Sequence, residues 1–385
     1  MSTTDKSNEA ASKTPHRLAL LPAAMFVVMM LAGLGVTVQS LRNVPESAWA
    51  GFTEPTKLLG GESTRQFTSN LNDHFLPSHF FAQVERAVTW TLVGDTGAQV
   101  GTGCSDWFFL TEELETFPHP QQSAQARADI VAAVAKNLKA QGIDLVVALV
   151  PDKTRIEQAH LCGLHRSPLF AQRLSQWQTA LTQAGVNVLN LEPVLSALPG
   201  ERYYRTDSHW NESGSDAAAL AIAKHLKGAS GVPSAEAAQM NRQTADRPGD
   251  LFRLSNLEGL PALLRPPVEK AQITTLAAAP AVPAAGADDL FGDAALPTVV
   301  VVGTSFSRTS NFVPFLSHYM GAEVANLAKD GGNFEGSALA YLGSPTFEQT
   351  PPKTIVWEVP ERMLQKPLSK AEQQWMRDLK LRPAH

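Results

Sequence analysis

Val299-Val300-Val301-Val302-Gly303-Thr304-Ser305-Phe306-Ser307 is the stretch on which the fold turns. Four successive valines leave no polar position, which is the pattern of a strand buried on both faces. Gly303 ends the run and opens a turn. A serine at a strand-to-helix turn presents its hydroxyl at the C-terminal edge of a parallel sheet, where free backbone N–H groups can bind a developing oxyanion. Taken alone, the motif also fits a plain strand end with Ser305 or Ser307 capping the next helix.

Outward from this stretch, residues 145–150, 186–191, 298–302 and 354–359 form four apolar runs. Helical patterns separate them. Residues 122–141 carry Ile130, Val131, Val134 and Leu138 before Gly142, residues 167–184 repeat the arrangement before Gly185, and residues 211–226 are Ala-rich. Strands alternating with helices predict an α/β fold with a parallel sheet covered on both faces. Residues 67–92 read as one further helix with Phe75, Phe80, Phe81, Val84 and Val88 on a face. The pattern breaks over about residues 230–296, where 278–287 (AAPAVPAAGA) is low-complexity Ala/Pro sequence, so an irregular insertion is expected there.

Residues 18–41, LALLPAAMFVVMMLAGLGVTVQSL, hold no charge and match the length of a bilayer-spanning helix. Lys6, Lys13 and Arg17 precede the span and orient residues 1–17 to the cytoplasm. The expected organisation is a transmembrane anchor at 18–41, a linker at 42–66 and a catalytic domain at 67–385. The competing reading is a cleavable signal peptide with Ala48-Trp49-Ala50 as its processing site. Cys104 and Cys162 both fall in the exported part; a disulfide and two free thiols are both open.

The chain carries 32 Lys+Arg against 37 Asp+Glu, a net charge of −5, and no basic run that would mark a nucleic-acid partner. None of the ten histidines forms an HExxH pair and the cysteines form no CxxC, so no metal site is expected. Neither GxGxxG nor GxxxxGK[ST] occurs, and no cofactor is expected.

Tyr203-Tyr204-Arg205-Thr206-Asp207-Ser208-His209-Trp210-Asn211 precedes the Ala-rich helix. A serine hydroxyl becomes a useful nucleophile once an imidazole takes its proton, and a carboxylate orients that imidazole. Asp207 and His209 supply such a pair, although Asp207 as a helix cap beside a surface histidine fits the same letters. Gly332 and Asn333, in Lys329-Asp330-Gly331-Gly332-Asn333-Phe334, are candidate oxyanion donors or simply a turn. Lys153 and Arg155 follow the 145–150 strand at the ligand-binding edge and are candidates to meet an anionic sugar, or a solvated loop. Glu361 and Arg362 read as a structural ion-pair corner.

These stretches, in their order, resemble the alginate O-acetyltransferases of the AlgJ/AlgX type, whose domain is SGNH-hydrolase-like. Residues 106–110 (DWFFL), 150–155 (VPDKTR), 206–211 (TDSHWN), 289–293 (DLFGD), 303–307 (GTSFS) and 357–362 (WEVPER) carry the resemblance. It implies an SGNH-like sheet in which Ser305 takes up acetyl, His209 is the base and Asp207 orients it. It also implies a polysaccharide acceptor, an acetyl donor supplied through a membrane-bound O-acyltransferase, and an inner-membrane anchor with the catalytic domain in the periplasm. Asp106 stands where a glycine is expected before Trp107. A carbohydrate acetylesterase, with water as acceptor, and a non-catalytic envelope scaffold are the alternative functions.

Overall fold

The computed structural model describes residues 16–76, 78–232, 240–276 and 296–381. The Ala/Pro stretch 278–287 and the motif at 289–293 lie outside the described residues. The chain divides into two compact units, Met1–Val88 and Thr89–His385.

In the first unit a helix His16–Arg42 contains a segment, Pro22–Arg42, long and apolar enough to cross a membrane. The expected linker at 42–66 is instead largely helical, with turns at Glu46–Trp49 and Pro55–Leu59 leading into the helix Glu62–His74. Side chains tie it together. The Gln66 and Asn70 amides donate to the Ala48 carbonyl at 2.7 and 3.0 Å, and Ser63 donates to Phe52 at 2.7 Å. The single helix expected over 67–92 is two, Glu62–His74 and Ser78–Val93. The break has a local cause, because the residue before Pro77 is pushed away from helical geometry.

The second unit begins with an antiparallel pair, β1 (Val100–Thr102) and β2 (Phe108–Leu110). β3 (Asp144–Val150) and β4 (Asn187–Asn190) follow, then a second antiparallel pair, β5 (Met240–Arg247) and β6 (Glu269–Leu276), then β7 (Val299–Val302), β8 (Val324–Asn326) and β9 (Thr354–Pro360). The main sheet has the order β4-β3-β9-β7-β8 and is parallel throughout. This is the expected α/β arrangement, a parallel sheet with helices on both faces.

Alternation along each strand divides the core into two layers, because successive side chains point to opposite faces. Val147, Leu149, Val300, Val302, Ile355 and Trp357 pack against the helices Pro120–Ala140 and Arg173–Gln183. Ala148, Val150, Val299, Val301 and Val356 pack against Glu212–Lys227 and Phe312–Met320. Buried on both sides, β3, β7 and β9 carry few polar positions, which is why they read as near-continuous apolar runs. β8 is a three-residue edge strand, too short to show a period.

The segment expected to be irregular carries structure. β5 and β6 pair over eight residues, and the short helix Asp250–Leu254 sits between them with Leu251 and Phe252 buried. Their fragmented pattern reflects a two-stranded ribbon with one exposed face, rather than a lack of order.

Cys104 and Cys162 are joined by a disulfide with Cα atoms 5.5 Å apart, closing a separation of 58 residues. The bridge fastens the β1–β2 hairpin to the segment after β3, where Trp107 stacks on His160 at 4.2 Å. Replacing both cysteines by serine is expected to cost about 2–4 kcal/mol, since a crosslink of this span removes much of the unfolded chain's freedom. Chemical denaturation of the wild type and the double variant measures it, and equal midpoints would refute it.

Candidate active site

β7 delivers the turn that carries Ser305. Gly303 runs so close to β9 that an added Cβ would lie 2.5 Å from a Glu358 carboxylate oxygen and 3.0 Å from its carbonyl. Only glycine fits that approach. Glu358 is buried and gathers the turn around itself: it accepts from the Thr304 N–H at 2.7 Å, the Thr304 hydroxyl at 3.0 Å and the Ser307 hydroxyl at 3.1 Å. Burial raises its pKa against the lowering effect of those Thr304 and Ser307 hydrogen bonds. The helix after the turn is a short 3-10 segment, Ser305–Arg308, with the α-helix Phe312–Met320 beginning only after Asn311.

The 204–210 loop delivers the other two groups. Asn211 caps the following helix through the Gly214 N–H at 3.0 Å, and a bridge between Tyr203 and Trp210 closes the loop's base. Two residues apart on this loop, Asp207 and His209 lie side by side. His209 Nδ1 is 2.6 Å from Asp207 Oδ1, and His209 Nε2 is 2.7 Å from Ser305 Oγ. Asp207 and Ser305, whose letters were also open to a capping role, therefore form with His209 a continuous hydrogen-bonded row.

The Asp207 carboxylate accepts further donors. Its Oδ1 takes the His209 N–H at 3.0 Å, and its Oδ2 takes Arg247 and the Asp250 N–H, each at 3.2 Å. Burial opposes its ionisation, but the His209 hydrogen bond and the charges of His209 and Arg247 prevail and hold the carboxyl well below the usual carboxylate range. Burial likewise opposes protonation of His209, and the Asp207 hydrogen bond and charge, with Asp250, outweigh it and raise the imidazole above its ordinary value. A general base must be neutral to accept a proton, so a raised pKa moves the acid limb of activity upward. kcat/KM for acetyl release is expected to fall on the acid side with a midpoint above about 6.5. Asp207→Asn is expected to bring that midpoint down, and an unchanged midpoint would contradict the coupling.

Arg247 and Asp250, from the insertion, escaped the sequence reading. Arg247 stacks over Tyr204 at 4.2 Å and donates to Thr309 at 3.1 Å, while Asp250 accepts from Ser208 N–H and hydroxyl at 2.7 and 2.5 Å. Asp207, His209 and Asp250 are, among the described residues, the acid and histidine group compact enough to hold a cation, with donor atoms within 4.8 Å. Hydrogen bonds engage all three, Asp207 with His209 and Asp250 with Ser208, and the Arg247 guanidinium already supplies positive charge.

Lys153 and Arg155 are not free to meet a sugar. Lys153 is fully buried with its ammonium on three backbone carbonyls. Arg155 bonds Glu361 at 2.6 and 2.8 Å and the Phe170 carbonyl at 2.6 Å. Glu361 also accepts from Arg166 at 2.6 Å and Arg173 at 2.7 Å, and Arg173 pairs with Asp152, so the corner after β9 is a buried ion network. Burial alone would raise the Glu361 carboxyl; the Arg155 hydrogen bond and the charges of Arg173, Arg166 and Arg155 pull it to about 2. Gly332 is likewise committed, its N–H donating to the Lys329 carbonyl at 3.0 Å rather than facing an oxyanion. Its loop does lie beside the Ser305 turn, since the Lys329 N–H donates to the Gly303 carbonyl at 3.1 Å. Asn333 is exposed on that loop at φ +50°. Among the described residues the Ser305 N–H has no protein acceptor.

A parallel sheet carrying a Ser-His-Asp row at its C-terminal edge is the arrangement of an SGNH-like acyl-transfer or ester-cleaving protein. A family model described as "SGNH hydrolase-like domain, acetyltransferase AlgX" matches residues 100–361. The "Probable alginate O-acetylase AlgJ" of Pseudomonas aeruginosa is 30% identical over 364 residues, covering 90% of this chain and 91% of the relative. The protein of the same name from Pseudomonas syringae pv. tomato is 29% identical over 373 residues, covering 94% and 93%. The solved O-acetyltransferase domain of Pseudomonas putida AlgJ superposes with a TM-score of 0.61 at 28% identity, covering 73% of this chain and 98% of that one. The chain belongs to this SGNH-hydrolase-like acetyltransferase family and is an O-acetyltransferase of that class.

Proposed function

We propose that the chain acetylates hydroxyls of an exported, alginate-like polysaccharide through an acetyl-Ser305 intermediate, from a membrane anchor that holds the catalytic unit in the periplasm. The observation that carries the reading is the row Asp207–His209–Ser305, with links of 2.6 and 2.7 Å. Ser305 Oγ attacks the acetyl carbonyl while His209 Nε2 takes its proton. The tetrahedral adduct collapses, and His209 returns the proton to the departing donor group. A sugar hydroxyl then gives its proton to His209 and attacks the acetyl-serine, and collapse returns that proton to Ser305. The Ser305 N–H, which has no protein acceptor among the described residues, supports a role in stabilising the oxyanion in both halves.

The names of the relatives support alginate as the acceptor to try first, and membership of an alginate-producing assembly. The apolar helix His16–Arg42 supports the anchor. An acetyl group reaching the periplasm needs a carrier through the bilayer, so a membrane-bound O-acyltransferase is the proposed donor partner. The test is incubation of the purified protein with a chromogenic acetyl ester and a panel of uronate oligosaccharides. Acetylated oligosaccharide, detected by mass spectrometry and dependent on Ser305, is the expected product. Hydrolysis without transfer to any oligosaccharide would favour an esterase. Undiminished polymer acetylation in cells carrying Ser305→Ala would favour a scaffold.

A further inference from the structure

The loop that carries Asp207 and His209 has little internal structure of its own, so other segments must hold its backbone. The Glu269 carboxylate on β6 accepts the N–H groups of Arg205 and Thr206 at 2.8 and 2.9 Å, with the Thr206 hydroxyl at 3.0 Å. The Phe252 N–H donates to the Thr206 carbonyl at 3.2 Å, and Asp250 accepts the Ser208 N–H. Two of the loop's carbonyls, together with one from β2, turn inward to one group. Lys153 Nζ lies 2.5 Å from the Phe108 carbonyl, 2.9 Å from that of Arg205 and 3.0 Å from that of Asp207 itself. The Phe108 N–H donates to the same Arg205 carbonyl at 2.9 Å, so the ammonium joins β2 to the loop. Trp107 and Phe109 each place a ring centroid 5.0 Å from the nitrogen.

We propose that Lys153 is a positioning residue of the acyl-transfer reaction: its protonated ammonium, clasping three carbonyls, sets the height and tilt of the Asp207–His209 pair against Ser305. The inference rests on the Ser305 mechanism proposed above. An ammonium has three donors and no acceptor, which matches a cup of three oxygens. A neutral amine keeps two N–H groups and gains a lone pair, so one carbonyl must be released or face that lone pair. The charge state of Lys153 therefore controls whether the loop is held at two points or three. Groups facing it come from every neighbouring element: Glu113 from the turn after β2, Asp207 from the loop, Asp250 from the helix beyond β5 and Glu269 from β6. Burial lowers the ammonium's pKa to about 8 against the raising pull of these four acids. Arg205, the cation on the loop, points to Asp106 at 3.7 Å.

The sign follows directly. Below about pH 8 Lys153 is charged and the pair is seated; above it the proton is lost and kcat declines, while KM for a small acetyl ester stays level because the amine touches no substrate. Misplacing a catalytic pair by a fraction of an ångström to an ångström costs roughly tenfold to a hundredfold in rate. The full chain in detergent is assayed for acetyl release from pH 6 to 10, together with Lys153→Met. Expected are an alkaline limb near pH 8 in wild-type kcat and, in Lys153→Met, a kcat lower by about tenfold to a hundredfold with no such limb. Broadening or displacement of the downfield proton of the His209–Asp207 hydrogen bond is expected in the variant. A wild-type kcat that stays flat to pH 10, or a Lys153→Met enzyme that keeps wild-type kcat and limb per folded molecule, would overturn the proposal. Should the variant not fold, the wild-type profile and the titration of labelled lysine in the wild type decide it: an Nζ that stays charged through pH 10 overturns it. Undiminished release by Ser305→Ala would instead bring down the underlying mechanism.

Discussion

Ser305→Ala is expected to reduce acetyl release and transfer by about 10⁴-fold or more, with the fold and its melting temperature unchanged. In the proposed mechanism the hydroxyl is the atom that accepts acetyl, and nothing adjacent replaces it: Ser307 donates to Glu358 at 3.1 Å and is buried. His209→Ala removes the proton acceptor 2.7 Å away and should cost a similar factor. Because the two act as one unit, the double variant should be scarcely slower than either single variant. Steady-state kinetics on a chromogenic ester measures all three. Multiplicative losses would mean that the two side chains act independently, and the hydrogen-bonded row would then not be the catalytic device.

The largest expected effect on stability lies in the corner after β9. Glu361→Ala leaves Arg155, Arg166 and Arg173 without their shared carboxylate, in a place where water reaches little of them. Removing one partner of a buried ionic cluster strands uncompensated charge and typically costs about 3–5 kcal/mol. Here three cations share the one acid; Asp152 remains to pair with Arg173 and, at 3.9 Å, Arg166, and Glu192 with Arg155 at 3.3 Å. Thermal melting should fall by on the order of 10 °C. A loss under about 2 °C would mean that the arginines find other acceptors or water, and that the corner contributes little. The Glu361 carboxyl is charged down to about pH 2. Its contribution is therefore present above the ordinary carboxylate pKa and disappears only as pH falls toward 2.

The site was legible in proportion to how local its signals are. Asp207 and His209 are two residues apart, and Ser305 follows a strand that announces itself, so residue chemistry could nominate all three. Lys153 and Arg155 were misread because position after a strand says nothing about depth. Both sit at the ligand-binding edge in sequence terms, yet one is enclosed by backbone carbonyls and the other by carboxylates. Arg247 and Asp250 were missed because their segment lacks a periodic pattern, and only the pairing of β5 with β6 brings them to Asp207. Gly332 lies on a loop tied to the Gly303 carbonyl through the Lys329 N–H, but its own N–H is spent within that loop.

What the sequence determined by itself is whatever depends on near neighbours along the chain. Continuous apolar runs required strands buried on both faces, and the charge-free 18–41 segment required a helix suited to a bilayer. The tertiary structure decided what depends on separations of tens to hundreds of residues: the meeting of His209 with Ser305 across 96 positions, the disulfide across 58, and the gathering of three arginines on Glu361. Side-chain period reports which face of an element is buried, and it carries no information about which distant group will occupy the space beyond that face.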